Sequence, residues 1–215
     1  KGLSFAAIAY NGGRAADKRL WFAEVDHNWN QVCNGGLLLA ALALADEEPT
    51  IAQTVLDGAR RTLPRAMRSY EPDGAYPEGP GYWTYGTTYN VLLLAALDSA
   101  LGTDSGLGSA PAFDLTTLYR LYIQSPAGPS FNYADGGADM DASPAYTWLA
   151  KRYQQPAALA HSRELLAQAL KDKKTSDRFF ALNALWFPEA VDPAATAALP
   201  LDRAFSGPAQ IALFR

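Results

Sequence analysis

Residues 31–45 and 84–101 are apolar on nearly every helical face through their middles, and a helix of that kind is stable only when protein surrounds it. Each is expected as an inner helix. Between them Ile51, Val55, Ala59, Leu63 and Met67 recur about every fourth position, while Asp57, Arg60, Arg61, Arg65 and Arg68 fall on the other side. That is the pattern of an outer, amphipathic helix. The alternation continues more loosely: 114–124 reads as a second outer helix, 144–153 as inner and 156–170 as outer, with Pro144 and Pro156 near helix starts. A last short helix is expected near 177–185. Alanine, the best helix former, supplies 40 of the 215 residues, and β-branched residues are sparse before the final positions, so the chain is expected to be all-α. Buried and amphipathic helices in alternation, at spacings too irregular for a short repeat, fit an incomplete (α/α) toroid of helical hairpins over residues 1–190. Residues 191–215 read as a linker and then a strand-like alternation from Gln210 to Phe214 with nothing to pair against. Together with a first residue that is Lys rather than Met, this reads as a fragment of a longer protein.

The charge balance excludes some partners. Lys and Arg number 18 against 22 Asp and Glu, a net charge of −4 with the signs interspersed, so no basic run suits phosphate and nucleic acid is not an expected partner. The longest apolar runs, 37–45 and 91–97, are far shorter than the roughly 20 residues that span a bilayer. Cys33 is the single cysteine, which rules out an intrachain disulfide and Cys-rich zinc sites. No Gly-x-Ser-x-Gly, His-Glu-x-x-His or Walker loop is present. Asp17, Glu24, Asp26 and His27 lack a recognised metal-ligand spacing, and no metal is expected. His161, beside Ser162, Arg163 and Glu164, is expected to face solvent.

Two motifs concentrate polar and aromatic residues ahead of the inner helices, on loops 22–30 and 70–83 that such a ring would gather around its mouth. The first runs from Asp26 through His27, Asn28, Trp29, Asn30, Gln31, Val32, Cys33 and Asn34 to Gly35 and Gly36. Helix capping by Asn28 or Asn30, with Trp29 packed beneath the loop, accounts for single residues but not for the whole crowd. The second motif runs from Asp73 to Tyr89 and places four tyrosines and a tryptophan on a Gly/Pro-rich approach to a helix. Tyr82, Tyr85 and Tyr89 have the i, i+3, i+7 spacing of one helical face if the helix begins near Tyr82. Core packing is the plain explanation of such a stripe, and a carbohydrate cleft is its competitor, because sugar rings bind on aromatic faces. The stretch 131–138, with Asn132, is a polar loop ahead of another inner helix, and turn formation explains it equally well.

The run Asn28-Trp29-Asn30-Gln31-Val32-Cys33-Asn34-Gly35-Gly36, followed by Asp73-Gly74-Ala75-Tyr76-Pro77-Glu78-Gly79-Pro80-Gly81-Tyr82-Trp83-Thr84-Tyr85-Gly86, resembles the heparinase II/III group of polysaccharide lyases and the related alginate and oligoalginate lyases. Residues 131–136 and 209–215 resemble it too, the latter as the first strand of a β-sandwich domain. The resemblance implies a toroid followed by an antiparallel β-sandwich, with acidic polysaccharide or oligosaccharide bound between them. It implies β-elimination on a uronic-acid glycan in a periplasmic or secreted bacterial protein, needing no cofactor. By the same resemblance Asn28 is the residue that neutralises the uronate carboxylate. The tyrosine that protonates the leaving oxygen is Tyr82, which follows Glu78-Gly79-Pro80-Gly81 as in the heparinase III type, or Tyr85, which suits the alginate-lyase spacing. His27, Trp29, Asn30, Gln31, Glu78, Trp83, Tyr89 and Asn132 are the implied substrate contacts. Two features depart from the family. Trp29 stands where a His often follows the Asn, and a further catalytic His usually comes from the β-sandwich, so the isolated chain is expected to be inactive.

Other function classes compete with this one. A non-catalytic glycan-binding or scaffold module would keep the toroid and its aromatics, and a toroidal glycoside hydrolase would need an acidic pair, for which Asp73 with Glu78 is the tempting set. Positive charge for a polyuronate is thin near the mouth, where Arg14, Lys18 and Arg19 are the candidates.

Overall fold

The computed structural model describes residues 2–11, 18–135, 137, 139, 141–187, 190–192 and 199–214, with Lys18 and Arg19 described by backbone alone. Arg14 and Asp17, and the side chains of Lys18 and Arg19, lie outside what is described. The chain is mostly helical and ends in a small two-stranded antiparallel sheet, and it divides into two compact units, residues 1–69 with 85–111 and residues 70–84 with 112–215. No helix among the described residues is long and apolar enough to cross a membrane.

The first unit contains α1 (Gly2–Tyr10), a 3-10 stretch (Lys18–Glu24), α2 (Asn28–Ala43), α3 (Pro49–Met67) and most of α4 (Gly79–Leu101). In α3, Pro49 occupies the first turn, where its missing N–H costs nothing, and Val55, Ala59, Leu63 and Met67 are buried while Arg60, Arg61 and Arg65 are exposed. Val55 and Leu63 are fully enclosed, and each large apolar side chain treated this way contributes about 1.5–3 kcal/mol. Ala6 and Ala7 of α1, a helix that the sequence pattern did not announce, meet Ala41 and Val55 in one cluster. Val91, Leu93, Leu94 and Leu97 are all fully buried although they point to different sides of α4, as a surrounded helix requires. Helix α2 departs from expectation. Asn28, Gln31, Asn34, Gly35, Leu38 and Ala41 form one buried row, while Ala40 and Ala43 on the other side are exposed. Gly35 sets its distance from α4, because a Cβ there would come within 2.8 Å of the Tyr89 carbonyl oxygen.

The second unit holds the first turn of α4, then α5 (Thr116–Ile123), α6 (Pro144–Arg152), α7 (Pro156–Lys171), α8 (Leu182–Leu185), β1 (Asp202–Ser206) and β2 (Gln210–Phe214). Helix α6 is buried as expected of an inner helix, and α7 buries only the face of Ala158, Ser162, Leu166 and Ala169. Helix α5 is not the outer helix its sequence suggests, for every residue from Tyr119 to Ile123 is buried. The misleading residue is Arg120, whose guanidinium donates to the Asp141 carbonyl at 3.0 Å and lies 5.3 Å over the Trp83 ring, so its charge is carried inside. The final strand does find a partner. Within the stretch expected as linker, β1 pairs antiparallel with β2, Asp202 opposite Phe214 and Ser206 opposite Gln210. Phe205 and Ile211, cross-strand neighbours, share the buried face, and the Phe205 ring meets the Tyr119 ring at 5.8 Å. Ser206 donates to the Asp73 carboxylate from its backbone N–H at 2.6 Å and from its hydroxyl at 3.0 Å, tying the hairpin to the loop ahead of α4. That loop passes through Gly74 at φ +91°, where a Cβ would fall 2.5 Å from the Leu115 carbonyl carbon, so only glycine fits.

Candidate functional site

The first motif lies wholly in the first unit. Helix α2 starts at Asn28 with His27 at the N-cap in extended conformation and no side-chain cap, so neither asparagine caps it as the sequence suggests. Asn30 and Gln31 are fully buried. The Asn30 amide donates to the Val25 carbonyl at 3.0 Å and the Thr62 carbonyl at 3.1 Å, and its oxygen accepts from the Asn34 amide at 2.8 Å. Asn34 in turn accepts from the Tyr10 hydroxyl at 2.6 Å and the Thr62 hydroxyl at 3.2 Å. These amides knit α1, α2, α3 and the preceding loop together, since buried polar atoms are tolerable only when bonded. Asn28, in the first turn of α2, is buried to 2% exposure, and Cys33 is half-buried, its thiol pushed above the usual value by burial, away from the thiolate form.

Trp29 points the other way. It is 44% exposed, and its ring lies 5.7 Å from that of Trp21, itself 47% exposed, with the His27 ring 6.3 Å from Trp21. The loop beneath them is held by the Asn30 amide, by Ser69 donating to the Asp26 carbonyl, and by a 2.9 Å ion pair of Arg65 with Glu24. Trp21 lies outside both sequence motifs, and its one signal in the sequence is that it stands eight positions ahead of Trp29. Tyr85 and Tyr89, on the part of α4 that belongs to this unit, are half-buried and meet edge to face at 5.7 Å.

In the second unit, α4 begins at Gly79, so Tyr82 lies in its first turn, as the aromatic spacing requires. Trp83 is fully buried: its indole N–H donates to the Thr116 hydroxyl at 2.7 Å, and Thr116 donates onward to the Gly74 carbonyl at 2.7 Å. Tyr82 is half-buried, and its hydroxyl bonds no other described residue. Glu78 is half-buried and accepts from the Tyr76 hydroxyl at 3.3 Å. Burial, with Tyr70 and Glu78 adding to it, holds the Tyr76 phenol well above its ordinary value. Tyr133 spends its one proton on the Tyr76 carbonyl and therefore accepts from Tyr119, 2.9 Å away. Burial pushes Tyr133 up to about 12 and Tyr119 higher still. Asn132, between Phe131 and Tyr133, is exposed.

Asp73 accepts both bonds from Ser206 on Oδ2, while its Oδ1 is buried with no partner among the described residues. His161 does not simply face solvent. Gln124 donates from its amide nitrogen to the Gly128 carbonyl at 2.9 Å, which turns its oxygen toward His161 Nε2, and His161 Nδ1 lies 3.1 Å from the Tyr146 hydroxyl. The imidazole therefore carries its proton on Nε2 and accepts from Tyr146, bracing α6, α7 and the loop after α5. No group of His, Cys, Asp and Glu among the described residues is arranged to hold a metal ion. Compared with known protein families and with curated proteins, the chain matches neither.

Proposed function

We propose that this chain carries part of the toroid and substrate site of a polysaccharide lyase that cleaves a uronic-acid-containing glycan by β-elimination. Elimination removes the C5 proton, moves negative charge onto the C6 carboxylate and expels the oxygen at C4. The protein must therefore quiet the carboxylate and supply a proton donor. In this reading Asn28, a neutral amide at the start of α2, takes the carboxylate, aided by the positive end of a helix that has no side-chain cap. Tyr82 protonates the leaving oxygen.

The observation that carries the reading is the Tyr82 hydroxyl. Among the aromatic residues from Tyr76 to Trp83 it stays half-buried with no described partner, while Tyr76 and Trp83 are sunk and bonded. A phenol reserved from internal bonds is what a proton donor requires; Tyr85, engaged edge to face with Tyr89, is the less available of the two candidates. The resemblance of both motifs to the heparinase II/III group supports the same assignment.

The test offers a panel of uronate glycans to the intact protein and follows the ultraviolet absorbance of an unsaturated uronate. Tyr82→Phe is expected to lower turnover by roughly a hundredfold or more, the scale of a lost general acid, with binding nearly unchanged. A glycan-binding module would keep its affinity and show no turnover in either form. Full turnover in Tyr82→Phe with loss in Tyr85→Phe would move the role to Tyr85, and absence of unsaturated product from every uronate glycan sinks the reading.

A further inference from the structure

We infer that Trp21 and Trp29, whose rings lie 5.7 Å apart and tilt 60° to each other, form an aromatic platform with a raised edge, on which one pyranose ring of the glycan stacks against one indole and meets the other at its side. The inference rests on the lyase reading only for the identity of the sugar as a uronate; stacking itself asks for any pyranose with an apolar C–H face. Trp83 is fully buried with its N–H bonded, whereas Trp21 and Trp29, 5.7 Å apart, leave 47% and 44% of their surfaces in water. Two neighbouring large apolar rings forgo burial there, and neither indole N–H bonds any described residue. The pair also stands on buried neighbours. Trp21 sits on the 3-10 stretch beside the buried Phe22 and Ala23, with Glu24 clamped by Arg65 at 2.9 Å, and Trp29 stands between the buried Asn28 and Asn30. A platform fixed before the ligand arrives loses little freedom on binding.

Size selects the occupant. Two half-exposed indoles offer on the order of 200 Å², against the roughly 800 Å² per partner of a stable protein interface. A single sugar ring matches that area, and its chemistry matches as well: the C–H face lies on one indole, the ring's side meets the other, and the hydroxyls at its rim meet the indole N–H groups and water.

The test uses the intact protein, calorimetric titration and three probes, namely tetrasaccharides of mannuronate, of heparosan and of neutral cellulose. Trp21→Ala and Trp29→Ala are each expected to weaken binding roughly tenfold or more, with Trp21→Phe staying within about threefold of the parent. Trp148→Phe, which alters a tryptophan packed at a tilt against Trp186 instead, should change nothing, and circular dichroism should report the same helix content throughout. Binding within about twofold of the parent in both alanine variants, or no binding of any probe to the parent, overturns the platform. Elimination is followed separately: tryptophan-dependent binding without unsaturated product removes the lyase reading and keeps the platform, whereas elimination with a KM indifferent to both substitutions does the reverse.

Discussion

At the start of α2 the amides go inward and the indole outward: Asn30 and Gln31 are fully buried, and Trp29 is 44% exposed. At the start of α4 the indole goes inward and the phenol stays out, with Trp83 fully buried and Tyr82 half-buried. Hydrophobicity alone would sort both places the same way. What differs is whether each polar atom can be matched. Asn30 has three carbonyls and the Asn34 amide around it, and Trp83 has one N–H and one Thr116 hydroxyl to meet it. Trp29 and Tyr82 have no such match among the described residues, and they remain at the surface where a ligand can supply it.

The strongest way to break this comparison is Asn30→Ala. It strips donors from the Val25 and Thr62 carbonyls and the acceptor from Asn34, and at about 1–3 kcal/mol for each buried group left unbonded the expected loss is about 3 kcal/mol or more in urea unfolding. A loss below about 1 kcal/mol would show that the network does not hold α2 in place. Trp83→Phe should cost about 2 kcal/mol through the lost bond to Thr116 and a partial cavity. Because Thr116→Val removes the same bond, the double variant should be less destabilised than the two losses added together.

A smaller effect follows from alkali. The unfolded chain ionises its tyrosines near the ordinary phenol value of about 10, whereas the folded protein keeps Tyr133 protonated up to about 12 and holds Tyr76 and Tyr119 up as well. Between those values these three phenols give up their protons only in the unfolded state. Stability is therefore whole below about pH 10 and falls as pH rises through about 12. Three of these raised phenols lie in the second unit and one, Tyr10, in the first, so residue-resolved hydrogen exchange should show the second unit opening first. Loss of protection in the first unit ahead of it would contradict this. The smallest expected change is in Tyr82→Phe, within about 0.5 kcal/mol of the parent, because nothing in the described fold depends on that hydroxyl.

Much of the helical order was legible because it is written in periodicity. The arginine stripe of α3 and the unbroken apolar run inside α4 each follow from repulsion or attraction between water and one face of a helix. Legibility failed where burial is earned by bonding. Arg120 and its threonine neighbours look like a solvent face until the Asp141 carbonyl and the Trp83 ring are seen to receive the charge. The strand β1 escaped notice because Arg203 and Ser206 give it only one deeply buried apolar residue, Phe205. At the candidate site, the motifs marked the approach to both helices, which begin at Asn28 and Gly79, ahead of the expected 31 and 84, and composition could not say which aromatic of each would face out. That depended on partners far away in sequence, Thr62 for one and Thr116 for the other.

The bond from Asp73 to Ser206 spans 133 positions, and it sets a clock on the growing chain. The first unit has all its residues once residue 111 has emerged, whereas the loop that leads into Tyr82 lacks its clasp until residue 206 has followed. At ribosomal speeds that interval is roughly 5–20 s. Through it the segment that leads into Tyr82 waits for Ser206, while every residue of the first unit has already been made.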